Sequence, residues 1–210
     1  MIGRYLQVLV FAAALAGFGA VKIAQAQELT GASLVQALHQ GGYVLLMRHA
    51  SSPNAVPDKT SADPDNPKLE RQLDRNGRST ARAMGKAIKA LHIPIREVWS
   101  SPTYRARETV KLAAFGNPQA FAELGDGGQS MQALQASPTA WLRTKIADVP
   151  PPGSDRVIVT HAPNIIGALG QSVADIADGE TLVFHPDGKG GAALVARVKI
   201  EDWPRLATLK

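Results

Sequence analysis

Two histidines and two arginines sit where they could act together. His49 follows Arg48 at the end of an apolar run, Tyr43-Val44-Leu45-Leu46-Met47, and His161 ends a second run, Val157-Ile158-Val159-Thr160. Arg105 lies just beyond Ser100-Ser101-Pro102, which closes the short strand pattern Glu97-Val98-Trp99. An apolar run of β-formers suits a strand covered on both faces of a parallel sheet. In open α/β sheets the working site lies beyond the carboxyl ends of the strands. If the three strands are parallel neighbours, Arg48, His49, Arg105 and His161 converge at one sheet edge. So many cationic or potentially cationic groups in one cleft fit a multiply charged anion. A phosphoryl group is the natural candidate, because guanidinium forks match its oxygens in pairs.

The elements needed to position these residues are legible. Ala32 to His39 reads as a helix stopped by Gly41-Gly42. Asp74 caps a helix running to Leu91, with Ala81, Met84, Ile88 and Leu91 on one stripe. A helix follows over about 103–115, then a short strand at 119–123, then a helix from Pro138 to Asp148. Asn164 to Gly170 is helical, and 181–185 and 192–198 are strands around the turn Pro186-Asp187-Gly188-Lys189-Gly190-Gly191. That turn lacks the Gly-x-x-x-x-Gly-Lys pattern of a phosphate loop, and a hairpin explains it. The stretch from Ser51 to Lys68 is proline-rich and polar, a surface loop. Strands alternating with helices predict a three-layer α/β/α sandwich with a mostly parallel central sheet and an antiparallel strand.

Three blocks resemble the signatures of the histidine phosphatase (phosphoglycerate-mutase-like) superfamily. Leu46-Met47-Arg48-His49-Ala50 is similar to its Arg-His-Gly block, and Ser100-Ser101-Pro102-Thr103-Tyr104-Arg105-Ala106-Arg107-Glu108-Thr109 to its Ser-Ser-Pro-x-x-Arg-Ala block. Val157-Ile158-Val159-Thr160-His161-Ala162-Pro163-Asn164 is similar to its Thr/Ser-His-Gly block. Ala50 and Ala162 depart from the usual glycines, which narrows the backbone's freedom but removes no reacting group. The resemblance implies a phosphomonoester hydrolase in which His49 attacks phosphorus and water cleaves the phosphohistidine. It implies that Arg48 and Arg105 hold the phosphoryl oxygens and that His161 donates to them; Asn164, in the third block, and Ser52 are further candidates for substrate binding, a turn role being the other reading of Ser52. It also implies a carboxyl as proton donor. Glu123 occupies the corresponding topological place, with Asp126 and Glu180 as the other candidates.

Other functions are weighed on the same residues. A zinc hydrolase is disfavoured because Arg48 and Arg105 beside the histidines repel a divalent ion, so neither metal nor cofactor is expected. No Gly-x-Ser-x-Gly occurs, which disfavours a serine hydrolase. A phospho-ligand-binding protein of low activity and a phosphomutase remain as alternatives on the same fold. His39, His92 and His185 read as ordinary element-end residues, and Arg107 as a solvated helix position.

Composition bounds the rest. The 210 residues suit one domain, and the absence of cysteine excludes disulfides, thiolate metal sites and a lipid anchor on cysteine. The formal charge of +5 favours anionic partners. The basic residues are dispersed and aromatics make up 5%, so nucleic acid is not an expected partner. Residues 1–26 read as a signal peptide, with Arg4 ahead of an uncharged apolar run from Val8 to Val21 and Ala24-Gln25-Ala26 as the cleavage motif. The run is shorter than the roughly 20 residues of a membrane span, so no stable insertion is expected after cleavage. The expected arrangement is a leader over 1–26 and a catalytic domain over 27–210. The expected location is periplasmic or secreted in a bacterium, with a phosphorylated small molecule or envelope component as substrate.

Overall fold

The computed structural model describes residues 22–25, 27–53, 68–126 and 137–209. The apolar run of the expected leader and most of the 51–68 loop lie outside the described residues. Seven strands form one sheet: β1 (Ile23–Gln25), β2 (Val44–Arg48), β3 (Ile95–Ser100), β4 (Gln119–Ala120), β5 (Asp155–Thr160), β6 (Thr181–Pro186) and β7 (Ala192–Val198). Their order is β1-β7-β6-β2-β5-β3-β4. The expected mixed sheet is present. β2 pairs in parallel with β5, β5 with β3 and β3 with β4, whereas β6 runs antiparallel to both β2 and β7.

Helices α1 (Gly31–Gln40), α2 (Arg75–Ala90), α3 (Tyr104–Leu112), α4 (Pro138–Ala147), α5 (Ala162–Leu169) and α6 (Asp202–Leu206) cover the two faces. The period of two in a strand divides the core between them. Leu45, Met47, Val157 and Val159 pack with α1, α2, α3 and α6, while Val44, Leu46 and Ile158 pack with α4 and α5. The continuous apolar runs of β2 and β5 follow from this, since both faces are buried. The Asp74 cap is also present, its Oδ1 accepting from the Gly77 N–H at 2.6 Å.

Three details differ from expectation. The strand expected over 119–123 stops at Ala120, and Ala122–Leu124 form a 3-10 turn instead. Ile23–Gln25, inside the expected leader, pairs in parallel with β7. The carboxyl-terminal helix α6 was not anticipated. It is only five residues long and contains a proline, so its helical period is too short to read, yet it seats the fully buried Trp203.

Two close contacts make the site-bearing layer rigid. A Cβ on Gly77 would lie 2.1 Å from the Ser51 carbonyl, and one on Gly85 would lie 2.0 Å from that of Ala113. The first turn of α2 therefore sits against the segment after His49, and α2 sits against the end of α3.

At the opposite end of the sheet, Asp155 is fully buried and accepts the Tyr43 N–H at 2.9 Å through Oδ1, while Oδ2 has no hydrogen-bond partner among the described residues. Burial pushes its carboxyl up to about 7, against the opposing effect of the Tyr43 hydrogen bond. The folded state thus holds this proton more tightly than the unfolded chain, so the stabilisation is full below about pH 4 and is lost as pH rises to about 7. Asp155→Asn is expected to remove that loss. Its urea midpoint should match the wild type near pH 4 and exceed it at pH 8, by up to about 1.4 kcal/mol per pH unit crossed. An unchanged difference across that range would contradict the assignment.

Candidate active site

β2, β5 and β3 lie side by side and end in His49, His161 and Ser100-Ser101, as the sequence requires. The His49 N–H donates to the Thr160 carbonyl at 3.0 Å, and the Gly179 N–H to the His49 carbonyl, so the chain leaves β2 still paired to its neighbours. The Ala50 N–H donates to Thr109 Oγ1 at 3.1 Å, and Thr109 donates to the Arg105 carbonyl. One threonine on α3 thus connects the residue after His49 to the backbone of Arg105. Among the described residues other than glycine, only His92 and Ala114 have positive φ. Ala50 and Ala162 therefore occupy backbone that any residue adopts, which explains why alanine is tolerated there.

The imidazoles of His49 and His161 are buried, their ring centroids 5.2 Å apart at an interplanar angle of 64°. His49 Nδ1 is 2.8 Å from the Ala50 carbonyl, which requires Nδ1 to carry the proton. Nε2 is then left with its lone pair, and Arg105 Nε reaches it at 3.2 Å. Burial, followed by the charges of Arg105, Arg71 and Arg48, lowers the His49 imidazole to about 3, against the raising effect of the Ala50 bond. His49 is therefore neutral across the physiological range, with its unprotonated nitrogen directed at the guanidinium groups.

Arg105 is the hub. Its Nη2 lies 3.1 Å from His161 Nδ1 and 2.5 Å from Asp126 Oδ2. His161 Nε2 lies 2.9 Å from Ser101 Oγ, and Ser101 in turn accepts from the Thr103 N–H at the start of α3. With Nδ1 accepting from Arg105, the proton sits on Nε2 and is donated to Ser101. His161 is also the N-cap residue of α5, in extended conformation. That helix start offers an anion few free donors, because Pro163 has no N–H and the Asn164 N–H already bonds the His161 carbonyl.

Several expectations for individual residues change. Arg48 reaches the same end of the sheet, but its Nη1 donates to the Ile176 carbonyl at 2.8 Å and its Nη2 pairs with Asp178 at 2.6 Å. Asn164 has its amide committed within the protein. Its Nδ2 donates to the Gly125 carbonyl at 2.6 Å and to Thr160 Oγ1 at 3.0 Å, while Thr160 donates to the Leu124 carbonyl. These two side chains clamp the turn that delivers Asp126. Glu123, in the same turn, makes no hydrogen bond or ion pair among the described residues, so the carboxylate in the cluster is Asp126. Glu180 is committed elsewhere, accepting from the Ala177 N–H and pairing with Arg197 at 2.7 Å. Ser52 donates to the Gln72 carbonyl and accepts from Arg71 Nε at 3.0 Å, so it acts through Arg71.

Arg71 itself escaped the sequence reading. Its Nη2 stands 3.4 Å from His49 Nε2, giving that nitrogen a second guanidinium neighbour. It lies beyond the 51–68 loop and outside all three motif blocks, so neither spacing nor periodicity marked it. Asp178 escaped for a similar reason, since it precedes β6 in a turn. Among the described residues no group of three or more His, Asp or Glu is placed to hold a metal ion.

Loss of the Asn164 clamp should be measurable. Asn164→Ala removes two hydrogen bonds from a turn otherwise held by Thr160, at about 1 kcal/mol each. The variant is expected to fold and to lose roughly tenfold in kcat, by displacing Asp126. A kcat equal to that of the wild type would remove the clamp role.

A family model of the histidine phosphatase superfamily (branch 1) matches residues 44–126, from β2 through Asp126. No curated protein matches the chain. Among solved structures, the protein histidine phosphatase SixA complexed with tungstate is similar at 17% identity and a TM-score of 0.55, covering 76% of this chain and 98% of its own. The putative phosphohistidine phosphatase SixA from Agrobacterium tumefaciens is similar at 16% identity and a TM-score of 0.53, covering 75% and 97%. YhfR of Bacillus stearothermophilus is similar at 18% identity and a TM-score of 0.50, covering 72% and 94%. These likenesses concern the fold. The matched span runs through β2, β3 and α3, which carry His49 and Arg105, so this part of the chain is similar to the histidine phosphatase superfamily and the whole shares its fold.

Proposed function

We propose that the protein is a phosphomonoester hydrolase that forms a phosphohistidine on His49 Nε2. One observation carries this reading: the unprotonated nitrogen of a neutral, buried histidine faces two guanidinium groups at 3.2 and 3.4 Å, while its other nitrogen is fixed by the Ala50 carbonyl. Such an arrangement has little to offer a neutral substrate. It offers a phosphoryl group a nucleophile and, beside it, donors for the oxygens on which charge is held during transfer.

In the first step the Nε2–P bond forms and the ester P–O bond breaks. Arg105 and Arg71 bind the equatorial oxygens, and His161, held by Ser101, completes the ring of polar groups. Arg48 supplies further positive charge from a position braced by Asp178 and the Ile176 carbonyl. Asp126 is our choice for the proton donor to the leaving oxygen. Before substrate arrives it is paired with Arg105. A dianion competing for that guanidinium weakens the pair and raises the proton affinity of the carboxyl. In the second step water attacks phosphorus, the N–P bond breaks, and Asp126 takes back the proton.

The test is turnover of p-nitrophenyl phosphate, with single-turnover labelling to look for an acid-labile, base-stable phosphoenzyme. Turnover with no such species under rapid quench would overturn the covalent route. The leader expectation belongs to the same proposal: the substrate is a phosphorylated small molecule or envelope component met outside the cytosol. Fractionation of expressing cells should place the protein in the periplasm or medium, and a wholly cytosolic protein would withdraw that part.

A further inference from the structure

Beside the catalytic cleft, the outer surfaces of α2 and α3 form a second, positively charged one. α2 carries Arg75, Arg78, Arg82, Lys86 and Lys89 and no acidic residue in its 16 positions. On α3, Tyr104, Arg107, Glu108 and Lys111 recur at the spacing of one helical face, opposite the buried Arg105, Ala106, Thr109 and Val110. These residues and Arg82 line one groove, which ends at Asn117 and Pro118. Gly85 allows the two helices to meet closely beneath it, leaving long basic side chains on both rims.

Arg82, Arg107 and Lys111 are exposed and have no ion-pair partner among the described residues. Glu108 is the acid in the groove. Its Oε1 lies 3.6 Å from Arg78 Nη1 and its Oε2 accepts the Leu73 N–H at 3.4 Å, so its charge is spent on groups outside the trio. Three unneutralised cations in a cleft attract an anion by more than isolated surface charges do.

The groove also adjoins the catalytic pocket. The Tyr104 N–H donates to Glu70 Oε2 and the Leu73 N–H to Glu108, so segment 70–73 is the wall between the two. Arg71, in that wall, faces His49. From Tyr104 to Lys111 is seven residues along a helix, about 10 Å.

We propose that this groove binds a second anionic group of the substrate, so that the natural substrate is polyanionic, with a phosphate or carboxylate beyond the one hydrolysed. The inference rests on the hydrolase reading for the identity of the bound molecule as substrate. The rim cations hold the distal group, and the reacting phosphoryl reaches Arg71 and His49 across the 70–73 wall.

The experiment titrates a linear polyphosphate of about ten units, and separately inorganic phosphate, into the full chain by calorimetry. Each is repeated with the Arg82→Ala/Lys111→Ala double variant and with the charge-keeping Arg82→Lys/Lys111→Arg variant. Turnover of p-nitrophenyl phosphate is recorded for all three. The expected result is a polyphosphate affinity weakened at least about tenfold by the alanines and restored by the charge-keeping pair, with a salt dependence that flattens in step. Phosphate affinity and p-nitrophenyl phosphate turnover should stay within about twofold, since neither uses the groove. Equal polyphosphate affinity in the alanine variant, with turnover intact, overturns the groove and leaves the hydrolase reading standing. If the wild type neither turns over p-nitrophenyl phosphate nor binds phosphate, the hydrolase reading falls and this inference falls with it.

Discussion

Replacing His49 by alanine is expected to lower phosphomonoester turnover by at least about 10³-fold while leaving the fold intact. The side chain is enclosed on all sides, so the loss opens a small cavity, but its hydrogen-bond partners survive. Arg105 keeps Asp126 and His161, and Arg71 keeps Ser52. The phosphoenzyme should vanish altogether, because no second unprotonated nitrogen stands in the same relation to the guanidinium groups. His161 is not a substitute, since its unprotonated Nδ1 meets Arg105 without the second guanidinium that Arg71 gives His49, and its Nε2 is turned to Ser101. With the His49 imidazole held at about 3, its protonation should not limit kcat/KM above roughly pH 4. A fall in turnover toward high pH that disappears with Asp126→Asn would belong to Asp126, which must carry a proton to donate it. Retention of a labelled phosphoenzyme in His49→Ala would end the proposed mechanism.

The second large effect is expected at Arg105. Its side chain is 6% exposed and meets His49, His161 and Asp126 at once, so Arg105→Ala removes a phosphoryl ligand and leaves the Asp126 carboxylate without its partner. Loss of a preorganised donor at the reacting group costs about 10²- to 10³-fold in kcat. Breaking a buried pair also costs stability, of the order of 3 kcal/mol or more. Arg105→Lys should recover part of the stability but little of the activity, because one ammonium cannot span three partners set by a planar fork. The double variant Arg105→Ala/Asp126→Asn separates the two effects. Its stability should return toward the wild type while turnover stays low. If turnover recovers with stability, Arg105 is structural and does not bind the phosphoryl group.

Where the sequence could be read, it was read through strong local signals. β2 and β5 announced themselves as unbroken apolar runs, because burial on both faces of a parallel sheet demands that composition. The Asp74 cap and the stripe of α2 were visible for the same kind of reason, being set by residues within a few positions of one another. The strand misplaced at 119–123 shows the limit. Phe121 and Leu124 are as apolar as strand residues, but what turns the chain there is Asn164 and Thr160 holding the Leu124 and Gly125 carbonyls from some 40 positions away. Glu123 was preferred to Asp126 on that mistaken strand, since a strand aims its side chains differently from a 3-10 turn.

Residue type and order alone determined the sandwich, the pairing of Arg48 with His49, and the presence of His161 and Arg105 at the ends of elements that had to be neighbours. Those features depend on local periodicity and on the rule that parallel strands present their carboxyl ends together. Only the folded chain decided which carboxylate meets Arg105, that Arg71 joins His49, that Asp178 braces Arg48, and that the dispersed basic residues of α2 and α3 share one groove. Each of these depends on contacts between segments far apart in sequence, where a rotation of one helix or a turn of two residues redirects a side chain by several ångströms and no short-range pattern records the outcome.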